Sequence, residues 1–194
     1  MQKNSASQPE TKRPADSQWP RFQVFVQEKT GAPHQDAGTV HATDAEMALL
    51  NARDVFVRRP ACVSLWVTPA QEIYRRTAQQ LAGEEPLSQN PSGEPEEYYI
   101  FCKRRSIGTQ TLVGSETAAS PSLALQAALQ KDAEKHPAFA WWVVPARAIT
   151  RSDPGDVESM FDPANDKPFR LSTDFHTVTA MREIKEKEVK GEAP

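Results

Sequence analysis

The chain has 194 residues, 38% of them apolar, and 23 Lys and Arg against 26 Asp and Glu for a net charge of −3. That length allows one ordinary domain or two small ones. No apolar run approaches the ~20 residues of a membrane helix, and the polar start Met1–Ser7 has no secretory apolar stretch behind it. Two cysteines, Cys62 and Cys102, exclude a disulfide scaffold and suit a reducing cytoplasm, while a pI of about 5.9 argues against a dedicated nucleic-acid surface.

Residues 1–18 are polar and are expected to be disordered. A first β-β-α-β module is expected over 19–76. Its opening strand is Phe22–Val26, and a polar connection through Gly31 leads to a second strand from about Gly38 to Ala42. A helix follows. Asp44 can cap it, and Thr43 with Glu46 offers a competing capping box; Ala45, Ala48, Leu49, Ala52 and Phe56 lie on its apolar face. Pro60 stops the helix, and a third strand, Cys62–Val67, closes at Pro69. A short turn then places Ile73 back against its own module, as Ile149 is placed in the second copy described below. Residues 77–96, rich in Gln, Glu, Gly, Ser and Pro, read as a linker.

Sliding the chain by 76 residues aligns 22–74 with 98–150 without a gap. The matches are Phe25/Phe101, Gly38/Gly114, Ala42/Ala118, Ala48/Ala124, Leu49/Leu125, Ala52/Ala128, Trp66/Trp142, Val67/Val143, Pro69/Pro145, Ala70/Ala146 and Ile73/Ile149. A second module is therefore expected over 97–150, with Ser120 as helix cap, Pro121 in the first helical position and Trp66 and Trp142 anchoring the two cores. The fold class is α+β: two tandem β-β-α-β modules, each a small, mostly antiparallel sheet with one helix on a face. A module of ~50–60 residues buries little surface, so the two copies are expected to pack as a pseudo-two-fold pair within a monomer. Residues 151–194 read as an extended tail, and the charged run Arg182–Lys190 as a short, frayed helix.

Signatures of chemistry are missing. His34, His41, His136 and His176 form no Glu-x-x-His or His-Glu-x-x-His spacing, and no Cys-x-x-Cys, Walker loop or Gly-x-Ser-x-Gly elbow occurs. No catalytic residue, metal ligand or cofactor-binding residue is assigned, and no cofactor is expected. Cys62 aligns with Ala138 and Cys102 with Val26, as suits buried inert thiols. Tyr98, Tyr99 and Phe101 followed by Lys103-Arg104-Arg105 could suggest a single-stranded RNA platform. The strand lacks the glycines of that motif, and an edge strand guarded by basic residues is the plainer reading.

Copy one carries a recognisable pattern. Trp19–Val26, the run Gly38–Asp44, Met47–Asp54, Arg58-Arg59 and Ser64–Val67, with Phe161-Asp162-Pro163-Ala164, Lys167 and Phe169-Arg170 after copy two, together resemble the phenylacetic acid degradation B family. That family is the small B subunit of the bacterial phenylacetyl-CoA epoxidase. A usual member has one copy; this chain has two, with Ala127, Leu129, Gln130, Glu134 and Lys135 where copy one has Asn51, Arg53, Asp54, Arg58 and Arg59. The resemblance implies a non-catalytic subunit that bridges larger helical oxygenase subunits carrying a di-iron centre, in the catabolism of an aromatic acyl-CoA. The acidic balance and the lack of a long apolar run leave no nucleic-acid or membrane partner expected. Arg53, Asp54, Arg58, Arg59 and His41 are the candidate partner-binding residues. A stand-alone protein-binding adaptor outside aromatic catabolism is the alternative.

Overall fold

The computed structural model describes residues 19–57, 62–83, 93–132, 138–166 and 177–189. In chain order, the first copy supplies β1 (Arg21–Gln27), β2 (Gln35–His41), α1 (Ala45–Phe56), β3 (Ser64–Pro69), β4 (Tyr74–Thr77) and the short α2 (Ala78–Ala82). The second supplies β5 (Glu96–Lys103), β6 (Thr111–Ala118), α3 (Pro121–Asp132), β7 (Ala140–Pro145) and β8 (Thr150–Arg151), followed by α4 (Val157–Asp166) and α5 (Thr177–Val189). The α+β class and the repeated β-β-α-β unit are both present. The expected disorder of 1–18 lies outside the described residues, as do residues 84–92 of the expected linker 77–96, whose start forms α2 instead.

Both helix starts follow the capping chemistry. Asp44 accepts a hydrogen bond from the Met47 amide at 2.8 Å, which holds its carboxyl below the usual range, so aspartate rather than Thr43 is the cap. Ser120 Oγ accepts from the Leu123 amide at 3.3 Å, and Pro121 opens α3. Ala48, Ala52 and Ala124 are fully buried, so each helix lies close on its sheet.

The second strands begin earlier than the sequence suggests. Gly38 and Gly114 lie within β2 and β6, beside register shifts at Val24/Phe25 and Ile100/Phe101. A bulge explains the displaced start: Gly38 has φ +131, and Asp36 Oδ1 accepts from its amide at 3.0 Å and from Gln23 Nε2 at 2.6 Å. The glycine that reads as a strand boundary is a kink inside the strand.

All eight strands form one antiparallel sheet in the order β4-β7-β5-β6-β2-β1-β3-β8. Since β5 to β8 are the images of β1 to β4, this order is palindromic. Its centre is the pairing of Gln35 with Thr111, which are each other's image under the 76-residue shift. The Asp36 amide donates to Gln110 O at 2.8 Å and the Leu112 amide to His34 O at 2.9 Å, again an image pair. A pseudo-two-fold axis therefore passes between β2 and β6.

The fourth strands are exchanged. β4 leaves copy one and pairs with β7; β8 leaves copy two and pairs with β3. Ile73 and Ile149, expected to turn back against their own modules, instead join a central cluster with Phe25, Phe101, Trp66 and Val144. The tryptophans are likewise not the anchors of the helix-covered cores. Strand alternation turns Leu65 and Val67 toward α1, and Trp141 and Val143 toward α3, so Trp66 and Trp142 face the other module.

The helices thus cover one face of the sheet, and the central cluster fills the other. Phe25 and Phe101 stack there with ring centroids 4.1 Å apart. Two strands separate β1 from β5, a distance of roughly 14 Å across a flat sheet, so the sheet curls about the β2–β6 junction. The β5 aromatics are accounted for by the same packing. Tyr98 and Phe101 are buried, and β5 runs between β7 and β6, so it is neither an edge strand nor an open stacking platform.

After the second module, Phe161 of α4 buries itself in the core of module one. Leu81 of α2, the image of Val157, packs on the core of module two. Residues 151–194, expected to be extended, include two helices, and α5 is exposed along its described side chains.

Two outcomes follow. A protease site placed between Gly83 and Gly93 should cut the chain into halves that still co-elute as one particle of monomer mass by light scattering, and separate only in denaturant; halves that part in native buffer would refute the exchange. Thr68 Oγ1 is buried without a hydrogen-bond partner, and its image is Val144. Thr68→Val should therefore be neutral or stabilising by about 1 kcal/mol in urea denaturation, where a paired hydroxyl would give a loss.

Candidate protein-interaction site

The surface of α1 is set by what its other face must cover. Ala45, Ala48, Leu49, Ala52 and Phe56 turn toward the sheet. Helical spacing then sends Met47, Leu50, Asn51 and Asp54 outward along one stripe, flanked by Val55. Met47, Leu50 and Val55 are 42%, 46% and 57% exposed, so an apolar strip stands in solvent on a helix whose core face is already satisfied. The corresponding positions on α3 are Leu123, Gln126, Ala127, Gln130 and Lys131, a more polar set.

His41 ends β2 beside this strip, exposed, and its carbonyl accepts from Asn51 Nδ2 at 3.2 Å. Arg53 Nη2 and Asp54 Oδ1 are 3.1 Å apart in an exposed ion pair worth under ~1 kcal/mol. Arg53 and Asp54 are thus bonded to each other in the last turns of α1, and His41 meets the helix through Asn51. Arg58 and Arg59 lie outside the described residues. Sequence reasoning missed the exposed apolar strip, although the helical spacing of Met47 and Leu50 opposite Ala48 and Ala52 carries that signal.

A second cluster lies where the exchanged strands meet the tryptophans. Arg75 on β4 is the cross-strand partner of Trp142, with its guanidinium 5.0 Å from that ring; Arg151 on β8 is the partner of Trp66, at 4.8 Å. The two arginines are themselves images under the 76-residue shift, one position beyond the aligned windows. Extending the repeat by one residue would have found them. Arg151 also donates to Tyr99 Oη at 2.8 Å. Burial and the charge of Arg21 both lower the Arg75 pKa, and Asp36 opposes them.

His34 stacks on Trp66 at 3.7 Å between centroids, with Nε2 3.0 Å from Ser64 Oγ. It is 6% exposed, and burial, helped by the charge of Arg151, lowers its pKa to about 4. Its image, Gln110, cannot titrate. These groups buttress the interface between modules; His34 and Trp66 are buried there, whereas Arg151 reaches the surface. Cys62 is buried too, and burial pushes its thiol up to about 11, which leaves little thiolate at neutral pH; Cys102 is also buried. Among the described residues no three His, Cys, Asp or Glu side chains gather into a metal-binding group, and no helix is long and apolar enough to cross a membrane.

The family pattern of phenylacetic acid degradation B matches residues 18–90 and again 94–182. The chain belongs to that family. Its two matches coincide with the two copies, each with its own trailing segment. A 55-residue stretch is 49% identical to the B subunit of 1,2-phenylacetyl-CoA epoxidase from Escherichia coli (strain K12), covering 28% of this chain and 58% of that relative. The chain thus aligns with little more than half of the curated relative's length. No solved structure matches it.

Titration of His34 gives a measurable consequence. Its pKa in the fold is below the 6.5 of an unfolded histidine, so the stability it carries is full above pH 6.5 and is lost as pH falls toward 4. The expected loss is at most about 3 kcal/mol. Urea denaturation at pH 7 and pH 4.5 should show a smaller drop in His34→Gln, which installs the residue found at the image position, than in the wild type. Equal drops would mean that His34 is not held neutral.

Proposed function

We propose that this chain is a non-catalytic subunit of a multicomponent oxygenase acting on an aromatic acyl-CoA of the phenylacetyl-CoA type, and that it organises larger helical subunits carrying the di-iron centre. Family membership supports the assignment, as does the relative whose name is that of an epoxidase component. The single observation that carries the docking role is the exposed Met47–Leu50–Val55 strip on α1, bordered by His41, Asn51 and the Arg53–Asp54 pair. An apolar centre with a polar rim is the usual anatomy of a protein interface. Arg58 and Arg59, next along the chain, are assigned to the same contact in this reading.

In this view the two modules work as one body from 19 to 151, because each completes the other's sheet. The polar residues that define the α1 surface are replaced on α3, so the chain offers one such face rather than two. Module two then serves as the fixed counterpart that holds module one in the paired geometry. The setting is cytoplasmic, where such complexes meet acyl-CoA substrates.

Co-expression with the large oxygenase subunits of its source tests this. Met47→Glu with Leu50→Glu should lower their co-purification at least tenfold, and Arg58→Glu with Arg59→Glu should lower it measurably, with the circular dichroism spectrum unchanged. Leu123→Glu on α3 should do neither. Undiminished co-purification of the α1 variants would move the contact off α1, and failure of the wild type to retain any subunit would favour the stand-alone adaptor.

A further inference from the structure

The two copies differ at one place where a ring is missing. In module one, Phe56 at the end of α1 lies against Gly38 of β2, its ring atoms 3.1–3.2 Å from where a Cβ on that glycine would sit. Module two keeps the glycine, as Gly114, but its sequence has Asp132 at the position of Phe56. Among the described residues nothing lies within 4 Å of the corresponding point above Gly114. A groove of about 130 Å³ opens there, floored by Ile100, Gly114, Ala128 and Trp141 and bordered by Val113. An enclosed cavity of roughly 150 Å³ accepts benzene, so the space suits one phenyl ring.

The rim adds a charge. Lys131 Nζ is 2.7 Å from both carboxylate oxygens of Glu116. The lysine side chain is 69% exposed and the glutamate 15%, so the cation faces outward and the carboxylate is covered. A ring entering the groove would thus meet an accessible ammonium beside it.

We infer that the groove between α3 and β6 of module two takes a phenylalanine-sized aromatic side chain of a partner protein, carried next to a carboxylate that pairs with Lys131. Module one supplies the template: a phenyl ring from a helix already fills the same space there. The partner protein is the oxygenase assembly of the preceding section, and on that point the inference rests on that reading. It adds a second contact, on the module otherwise assigned only a structural part, so the chain would grip the assembly from both halves.

The test uses the full chain, 15N-labelled, titrated with N-acetyl-L-phenylalanine and, as control, N-acetyl-L-alanine. The phenylalanine probe should shift the backbone amides of Val113 and Gly114 saturably, with a Kd of roughly 1 mM, and the alanine probe should not. Asp132→Phe, which restores the residue of module one, should weaken binding at least tenfold. Gly114→Val should do the same by filling the groove from the strand. The groove assignment is overturned if those amides do not move, or if both variants bind as the wild type does. Co-expressed with the large subunits, Asp132→Phe should cut their retention at least tenfold; undiminished retention overturns the protein source. A homodimer that Asp132→Phe abolishes would make a second copy the occupant and also overturn it. If the wild type retains no large subunit, the proposed function fails, and the amide titration still decides the groove.

Discussion

The stacking of Phe25 on Phe101 is the contact on which the rest of the molecule depends. It joins two residues that are images of each other, and it can form only if the sheet curls about the β2–β6 junction. Once the sheet is curled, the faces opposite the helices are turned inward and Trp66, Trp142, Ile73 and Ile149 have a core to enter. Flat, the same strands would expose a row of large aromatics to water. Fully burying side chains of this size contributes about 1.5–3 kcal/mol each, which two isolated modules would forgo.

Strand exchange makes that core possible. Neither module closes its own sheet: β3 receives β8 and β7 receives β4, and each arriving strand carries an arginine over the host's tryptophan. The guanidinium lies near an aromatic face, where the ring quadrupole favours a cation. The polar groups at this interface break the symmetry. His34, Ser64 and Tyr99 surround Trp66, where the images are Gln110, Ala140 and Gln23. Divergence has thus entered the interface itself as well as the solvent face.

Local chemistry was legible in the sequence because it acts over a few residues. The caps at Asp44 and Ser120, the alanines that let the helices approach, the prolines that end β3 and β7 and the 76-residue period all act in that way. Where strands go after Ile73 and Ile149 was not legible, since nothing in Tyr74–Thr77 tells its own module from its image. Two similar modules present similar edges, and only the balance of the whole assembly selects the exchanged one. The inward turn of Trp66 was readable in principle, because it follows from alternation with Leu65 and Val67 once a second face needs filling. On α1 the polar positions of Arg53 and Asp54 follow from helical spacing, whereas the exposure of the apolar strip beside them depends on which part of the helix the rest of the fold covers.

The exchanged strand also sets a constraint on synthesis. Ser152 both donates its amide to Leu65 O at 2.8 Å and accepts from the Leu65 amide at 3.0 Å, and Phe161 plugs the core beneath α1. The first module to leave the ribosome therefore lacks its outer strand and part of its core until some ninety residues more have followed. Domains commonly fold one after another as they emerge, but here the nascent N-terminal half waits with an open sheet edge. Such an edge is a template for the wrong strand, including that of a neighbouring chain on the same message. Carrying both copies on one polypeptide shortens that wait to the time of a single translation event.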